Sequence, residues 1–510
     1  MRIMKELDEA DIVVLPSTES QALPKLRAVL TDFHRHNIRY CYWKSTRRIH
    51  AVLRGEGDLD LLVGRSDQHR AEMILLARDF KLFPMLGSRD HPSLLSFLGH
   101  DEASGRIVHV HLHFRLIVGK RLLRNYRIPW EDMVLAGAFL HRALQIRLLE
   151  PTIEAVLLAV RSCVELRRSD PVALRIWRAA KRKFALDRAD VAGRVDPAAL
   201  RDRAAVLLNA ELADLLVDAI CGKRELEGQS RFRRRVVTYL SAFRTYNACE
   251  AGLRSAWRTL LWAAGNMNRH LFLLPRPWSR RAPGGGCVIA IVGVDGSGKT
   301  TVATAIRAWL GSEIDVVPIY FGTGEGRPSP LLRLFKSMVP LARRMLPTKP
   351  RGASHGKVSD RPPGLLYSLL LMMWAAIVAR EKRNKLLAAR RGAQRGLVII
   401  TDRYPQNETG AFNDGPLLSR LPRAPQWLRR FETAAYRLAQ RLPPDLVIRL
   451  DVFAETAARR EPDMDPALVR QRITELQRLT FAGARIVPVD AEQPLFEVIR
   501  VVKREVWRML

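Results

Sequence analysis

Eight consecutive residues, Gly293-Val294-Asp295-Gly296-Ser297-Gly298-Lys299-Thr300, satisfy the spacing G-x-x-x-x-G-K-[ST]. Glycines at these positions let the backbone curl so that successive N–H groups point at phosphate oxygens. The apolar run VIAIV precedes the loop, and TVATAIRAWL follows it with helical periodicity. The start of that helix adds the positive end of its dipole to the same point. Lys299 then reaches the β- and γ-phosphates, and Thr300, followed by Thr301, offers a hydroxyl to Mg²⁺. The chemistry expected is the binding of a nucleoside triphosphate, ATP, with its magnesium ion.

A loop of this kind needs a strand to launch it and a helix to receive it, and the surrounding sequence supplies both. After APGGG, residues 282–286, apolar runs alternate strictly with longer segments of crossover-helix length. The predicted strands are Val288–Val292, Val316–Tyr320, Leu397–Thr401, Leu446–Asp451 and Arg485–Val489. Five such strands imply a parallel sheet covered by helices on both faces. The third strand runs into Asp402, which places a carboxylate beside the glycine loop where it can order Mg²⁺. Arg403 follows, and a guanidinium there can clamp an acceptor phosphate through two parallel hydrogen bonds.

The region from Val288 to Leu510 resembles the thymidylate kinases. GVDGSGKTT is similar to their glycine loop, and TDRYP, residues 401–405, to their Asp-Arg-aromatic motif. PDLVIRLDVFAETAARR resembles their fourth strand and the start of their lid, and VDAEQPLFEVIRVVKREVW their last strand and closing helix. The resemblance implies phosphoryl transfer with catalytic roles for Lys299, Asp402 and Arg403. Arg403 would contact the acceptor's phosphate, and Arg459 or Arg460 would serve as the lid arginine. The parts that frame a thymine ring do not match. The sequence after TDRYP reads QNETGAFNDGP, FGTGEGRPSP and RGASHGKVSDRPP stand between the second and third strands, and the lid reads REPDMD. The acceptor is therefore left open between a nucleotide and another phosphate-bearing or hydroxyl small molecule.

A second constellation lies near the N-terminus. Trp43-Lys44-Ser45 is followed, twelve residues on, by Asp58-Leu59-Asp60-Leu61. This resembles the nucleotidyltransferases, in which a small-residue turn precedes two aspartates on one strand. Residues two apart on a strand share a face, so Asp58 and Asp60 can hold metal ions at a triphosphate. Gly usually precedes the Ser in that family, and here Lys44 does. A third carboxylate is expected on a neighbouring strand, yet the best candidate reads Val108-His109-Val110-His111-Leu112-His113. The three histidines share one strand face, which suggests a metal or, more simply, hydrogen-bonded core histidines.

The chain has 510 residues and a formal net charge of +32. Its length requires more than one core, and its charge favours anionic partners. Five cysteines, without a CxxC pair, support neither a disulfide framework nor a zinc ribbon. The first residues, MRIMKELDEADIVV, lack the apolar core of a signal peptide. Residues 364–379, GLLYSLLLMMWAAIVA, are too few to span a bilayer and are expected to form a buried core helix. Between residues 129 and 283 the spacing predicts helices and no strand. From Cys221 to Arg281 there are thirteen Lys or Arg against Glu225, Glu227 and Glu250. Helices of that kind carry a solvated basic face, lie in a membrane interface or bind nucleic acid through its phosphates. No nucleic-acid module is recognised.

The fold class expected is multidomain α/β. Residues 20–128 form a nucleotidyltransferase-like α+β domain, 129–283 a basic helical region and linker, and 284–510 a P-loop domain with a five-stranded parallel sheet. The functional expectation is a cytoplasmic, ATP- and Mg²⁺-dependent phosphotransferase, with peripheral membrane contact through 231–281. Two rivals are carried: a nucleotidyltransferase acting through Asp58 and Asp60 with a regulatory P-loop domain, and a non-catalytic triphosphate-binding module at an anionic surface.

Overall fold

The structure is a computed structural model. It describes residues 22–510 apart from 88–89, 92, 166–176, 223–229, 273, 323–364, 411–412, 422–423 and 462–465. Most of FGTGEGRPSP and RGASHGKVSDRPP, between the predicted second and third strands of residues 284–510, and most of REPDMD lie outside the described residues. The chain divides into two compact units. One is Met1–Phe272 with Trp278–Arg280, and the other is Leu273–Pro277 with Arg281–Leu510.

The first unit opens with α1 (Pro24–Arg35), whose ring-locked Pro24 suits a first helical position. Its Leu26, Val29, Leu30 and Phe33 recur at helical spacing and are buried. The sheet beside it contains β1 (Tyr40–Tyr42), β2 (Asp58–Val63), β3 (Phe80–Leu82), β4 (Leu94–Asp101) and β5 (Arg106–His113). The small pair β6 (Leu116–Val118) and β7 (Tyr126–Ile128) follows, and then β8 (Ala138–His141) and β9 (Ile146–Leu149). The main sheet has the order β3-β4-β5-β2-β1-β9-β8. The last two strands correct the expectation of helix alone after residue 129. β9 pairs in parallel with β1, Tyr42 opposite Leu148, and β8 pairs antiparallel with β9.

Alternation on the central strands decides what faces where. Leu59, Leu61 and Val63 of β2 and Val108, Val110 and Leu112 of β5 fill one hydrophobic core. Asp58, Asp60, His109, His111 and His113 are thereby turned to the other face. The unit's remaining labelled helices are α2 (Gln68–Ala77), α3 (Pro151–Glu165), α4 (Trp177–Ala192), α5 (Pro197–Leu207), α6 (Ala210–Cys221), α7 (Ser230–Tyr239) and α8 (Ala248–Met267). α3 is buried nearly all round, and its apolar residues share a core with Cys41 and Leu62 of the sheet and with Trp43, which follows β1.

The second unit runs β10 (Cys287–Gly293), α9 (Lys299–Gly311), β11 (Val316–Tyr320), α10 (Leu365–Gln394), β12 (Val398–Asp402), α11 (Gln426–Arg441), β13 (Leu446–Asp451), α12 (Ala454–Arg460), α13 (Pro466–Arg478), β14 (Arg485–Asp490) and α14 (Leu495–Met509). All its strands are parallel, in the order β11-β12-β10-β13-β14. β10, β12 and β13 are buried on both faces, as their unbroken runs of Val, Ile and Leu require. The expected core helix at 364–379 is the first half of α10, and it is only partly buried. Ala375, Val378 and Ala379 are buried, whereas Leu365, Leu369 and Met373, spaced four apart, form an exposed stripe. No described helix is long and apolar enough to cross a membrane. All five cysteines are free thiols.

Candidate functional site

The glycine loop leaves the carboxyl end of β10, the central strand, and enters α9. Gly298 takes the N-cap position of α9 at a φ of +88°, a region that side-chain-bearing residues rarely enter. Gly296 has a φ of +80°, and a Cβ there would meet the Ala457 carbonyl oxygen at 2.8 Å. Lys299 is buried, and its Nζ donates to the carbonyl oxygen of Val294 across 2.6 Å, curling back over its own loop. Burial, reinforced by the Arg403 charge, lowers the Lys299 ammonium below its ordinary pKa. Ser297 is buried inside the loop, and Thr301 faces outward on the first turn of α9.

Asp402 ends β12 opposite Ile291 of β10, so its carboxylate arrives beside the loop. The Thr300 hydroxyl donates to Asp402 Oδ2 across 2.8 Å. Asp402 Oδ1 is buried and has no hydrogen-bond partner among the described residues. A free carboxylate oxygen beside a threonine hydroxyl fits the donor set of a hard, oxygen-preferring cation such as Mg²⁺.

Arg403 is turned back by a φ of +70°, and its Nη2 is hydrogen-bonded to Asp295 Oδ1. Asp295 Oδ2 accepts from Arg472 Nη1 of α13 at 3.0 Å, and Lys299 Nζ lies 3.5 Å from its carboxylate. Burial would raise Asp295, but Arg403, Lys299 and Arg472 together hold it well below the usual carboxylate range. Asp414 stands 3.6 Å from both Arg403 and the buried Lys382. The structure thus brings together Gly293, Val294, Asp295, Gly296, Ser297, Gly298, Lys299, Thr300, Asp402 and Arg403. Of the two lid candidates, Arg460 donates to the Gly296 carbonyl oxygen at 3.1 Å, and Arg459 is exposed at the end of α12. Arg472, Asp414 and Lys382 were not legible as site residues. Asp414 sits in a turn with Asn413, both at positive φ, a weak local signal, while Arg472 and Lys382 lie within long helices.

Asp58 and Asp60 lie in the first unit at a cleft of about 350 Å³. Lys44, Arg48, Arg121, Arg124, Arg161 and Lys183 also line it, together with Glu165 and Asp187, so six cations face four carboxylates. Lys44 lies over the Trp43 ring, 3.7 Å from its centre. Burial, helped by the Arg161 charge, draws Lys44 down to about 7. Burial likewise pushes His109 and His113 down to about 3, so both rings are neutral at pH 7. His109 Nδ1 is 2.7 Å from Asp58 Oδ1, and Asp60 Oδ1 is 3.2 Å from His111 Nδ1 and 2.9 Å from His113 Nε2. Burial opposes ionisation of both aspartates, but His109 at Asp58, and Lys44 and the other histidines at Asp60, keep them ionised.

Comparison with known proteins places the chain in a family. It is 34% identical over 226 residues to the uncharacterized ATP-binding protein YghS of Escherichia coli (strain K12), a match covering 43% of this chain and 92% of that protein. It is 27% identical over 227 residues to the uncharacterized ATP-binding protein YghR of the same organism, covering 43% of this chain and 86% of that one. No family model matches the chain. It belongs to the family of YghS.

Proposed function

We propose that the second unit is an ATP- and Mg²⁺-dependent phosphotransferase of the thymidylate kinase-like P-loop class. The observation that carries this reading is the convergence of Lys299, Thr300, Asp402 and Arg403 at the carboxyl ends of two adjacent central strands. That is where open α/β sheets bind their ligands. The relatives' names support ATP as the ligand, and the matched length of 226 residues suits a domain of this size. Thr300 and Asp402 would hold Mg²⁺, which neutralises charge on the β- and γ-phosphates when bound. Lys299 would leave the Val294 carbonyl for the phosphates, and Arg403 would leave Asp295 for the acceptor. Phosphoryl transfer needs positioning and positive charge more than covalent chemistry, and these residues supply both. The acceptor is a phosphate-bearing or hydroxyl small molecule.

The cationic cleft favours a second reading for the first unit, nucleotidyl transfer at Asp58 and Asp60. Its volume falls within the range of small-molecule sites. Labelled ATP separates the readings in the full-length protein, screened against nucleoside monophosphates and sugars. The proposal expects γ-label on an acceptor and a loss of about 100-fold or more in Lys299→Ala. Movement of α-label with release of pyrophosphate would support the nucleotidyltransferase instead, and movement of neither would leave a binding module.

We also propose that α8 rests on an anionic membrane. Leu253, Trp257, Leu260 and Met267 fall on one side of this helix and are all at least half exposed. Arg231 and Arg234 on α7, which precedes it, are exposed cations. An apolar stripe with nearby basic residues suits the boundary between headgroups and acyl chains.

A further inference from the structure

Two of the three histidines of β5, His111 and His113, each keep one buried ring nitrogen without a partner among the described residues. The parallel register sets Asp58 opposite His109 and Asp60 opposite His111, so all five side chains of the cluster occupy one face of two adjacent strands. His113 is fully buried and His111 is nine-tenths buried. A neutral imidazole has one donor nitrogen and one acceptor nitrogen. His111 Nδ1 and His113 Nε2 converge on Asp60 Oδ1 at 3.2 and 2.9 Å, where their lone pairs could share a metal ion with that oxygen, and His111 Nε2 and His113 Nδ1 are the ring nitrogens left over. Both of those atoms are buried and have no hydrogen-bond partner among the described residues. Hydrogen bonding within the cluster therefore does not account for two adjacent buried imidazoles on one carboxylate oxygen.

His109 plays a different part. Its Nε2 lies 3.1 Å from Arg280 Nη2 and 2.8 Å from the Ser96 hydroxyl. A guanidinium can only donate, so Nε2 is the acceptor and the ring proton sits on Nδ1, directed at Asp58 Oδ1. His109 is thus a positioning residue for Asp58, and its Nδ1 lone pair is not available to a metal.

Asp60, His111 and His113 remain, each offering one ligand atom, with the three atoms within 4.8 Å of one another. We propose that these three residues bind one divalent transition-metal ion. Two imidazoles and one carboxylate select borderline ions such as Zn²⁺, Co²⁺, Fe²⁺ or Mn²⁺, whereas Mg²⁺ and Ca²⁺ prefer all-oxygen sites. Three protein ligands leave further coordination positions open. Asp60 lines the cationic cleft, so an anionic ligand held by Lys44 and Arg124 can occupy those positions. The site goes beyond the kinase reading and does not depend on it.

The test uses the full-length protein, stripped with a chelator and titrated with Co²⁺ as a spectroscopic probe. One equivalent should bind with visible d–d absorption and raise the thermal transition of the protein, and a large excess of Mg²⁺ should not displace it. His111→Ala and His113→Ala should each weaken Co²⁺ binding by about 100-fold or more, as loss of a ligand requires. Far-UV circular dichroism checks the fold, and if His113→Ala fails it, His111→Asn carries the test. Absence of stoichiometric Co²⁺ binding, unchanged affinity in the folded His111 variant, or displacement by equimolar Mg²⁺ would each overturn the proposal.

Discussion

Arg403 and Asp295 neutralise one another at the mouth of the glycine loop. The strand-end arginine is thereby held on a carboxylate of the very loop that is expected to carry the nucleotide, with Arg472 on the second oxygen of the same group. Asp295 acts as an internal anion that Arg403, Arg472 and Lys299 share.

Replacing that anion should separate stability from binding. In Asp295→Asn, Lys299, Arg403 and Arg472 lose their shared counter-charge, and removing one partner of a buried ion pair costs about 3 kcal/mol. The nucleotide-free protein should melt at a lower temperature. ATP should then raise the transition by more than in the wild type, because phosphates restore the missing negative charge. Thermal melts with and without ATP make the comparison, and an equal or smaller ATP-induced rise would contradict this role.

Lys44 gives a pH dependence of definite sign. Its folded pKa is drawn down to about 7, below the unfolded value near 10.4. Between these values the unfolded chain binds more protons, so this lysine makes stability rise with pH from about 7 upward. The slope is at most about 1.4 kcal/mol per pH unit. Lys44→Met lacks this titrating group. Denaturant midpoints from pH 7 to pH 9 should therefore move upward for the wild type relative to the variant, and parallel profiles would exclude a buried, depressed Lys44.

The α8 stripe predicts a lipid preference. Sedimentation with phosphatidylglycerol vesicles should capture the wild-type protein far better than phosphatidylcholine vesicles, and added salt should weaken the capture. Glutamate at Leu253, Trp257 and Leu260 together should reduce it by about tenfold or more. A change of oligomeric state on the same substitutions, without loss of vesicle binding, would reassign the stripe to a protein partner.

The glycine loop, the five parallel strands and the strand-end position of Asp402 were all legible in the sequence, because each is encoded by neighbours in the chain. β8 and β9 were not. Each has four residues, Phe139 and Leu140 of β8 are exposed, and β9 is placed by pairing with β1 about a hundred residues earlier. Neither strand carries local alternation that stands out from helical spacing. Arg472 and Asp414 were missed for a related reason, since their approach to the glycine loop is set by how α13 and the turn at 413–415 pack. The β5 histidines showed a shared face in sequence, but only the register with β2 set them beside the aspartates.

The way the chain passes between its two units has a practical outcome for anyone wishing to separate them. Residues 273–277 belong to the second unit and 278–280 to the first, before the second resumes at residue 281. No single scission yields both halves complete. A fragment ending at 272 forfeits Arg280, which governs the tautomer of His109, and one beginning at 284 forfeits Ala282, whose amide bonds the Gly396 carbonyl at 3.0 Å. Defects measured on such pieces would report the cut as well as the site.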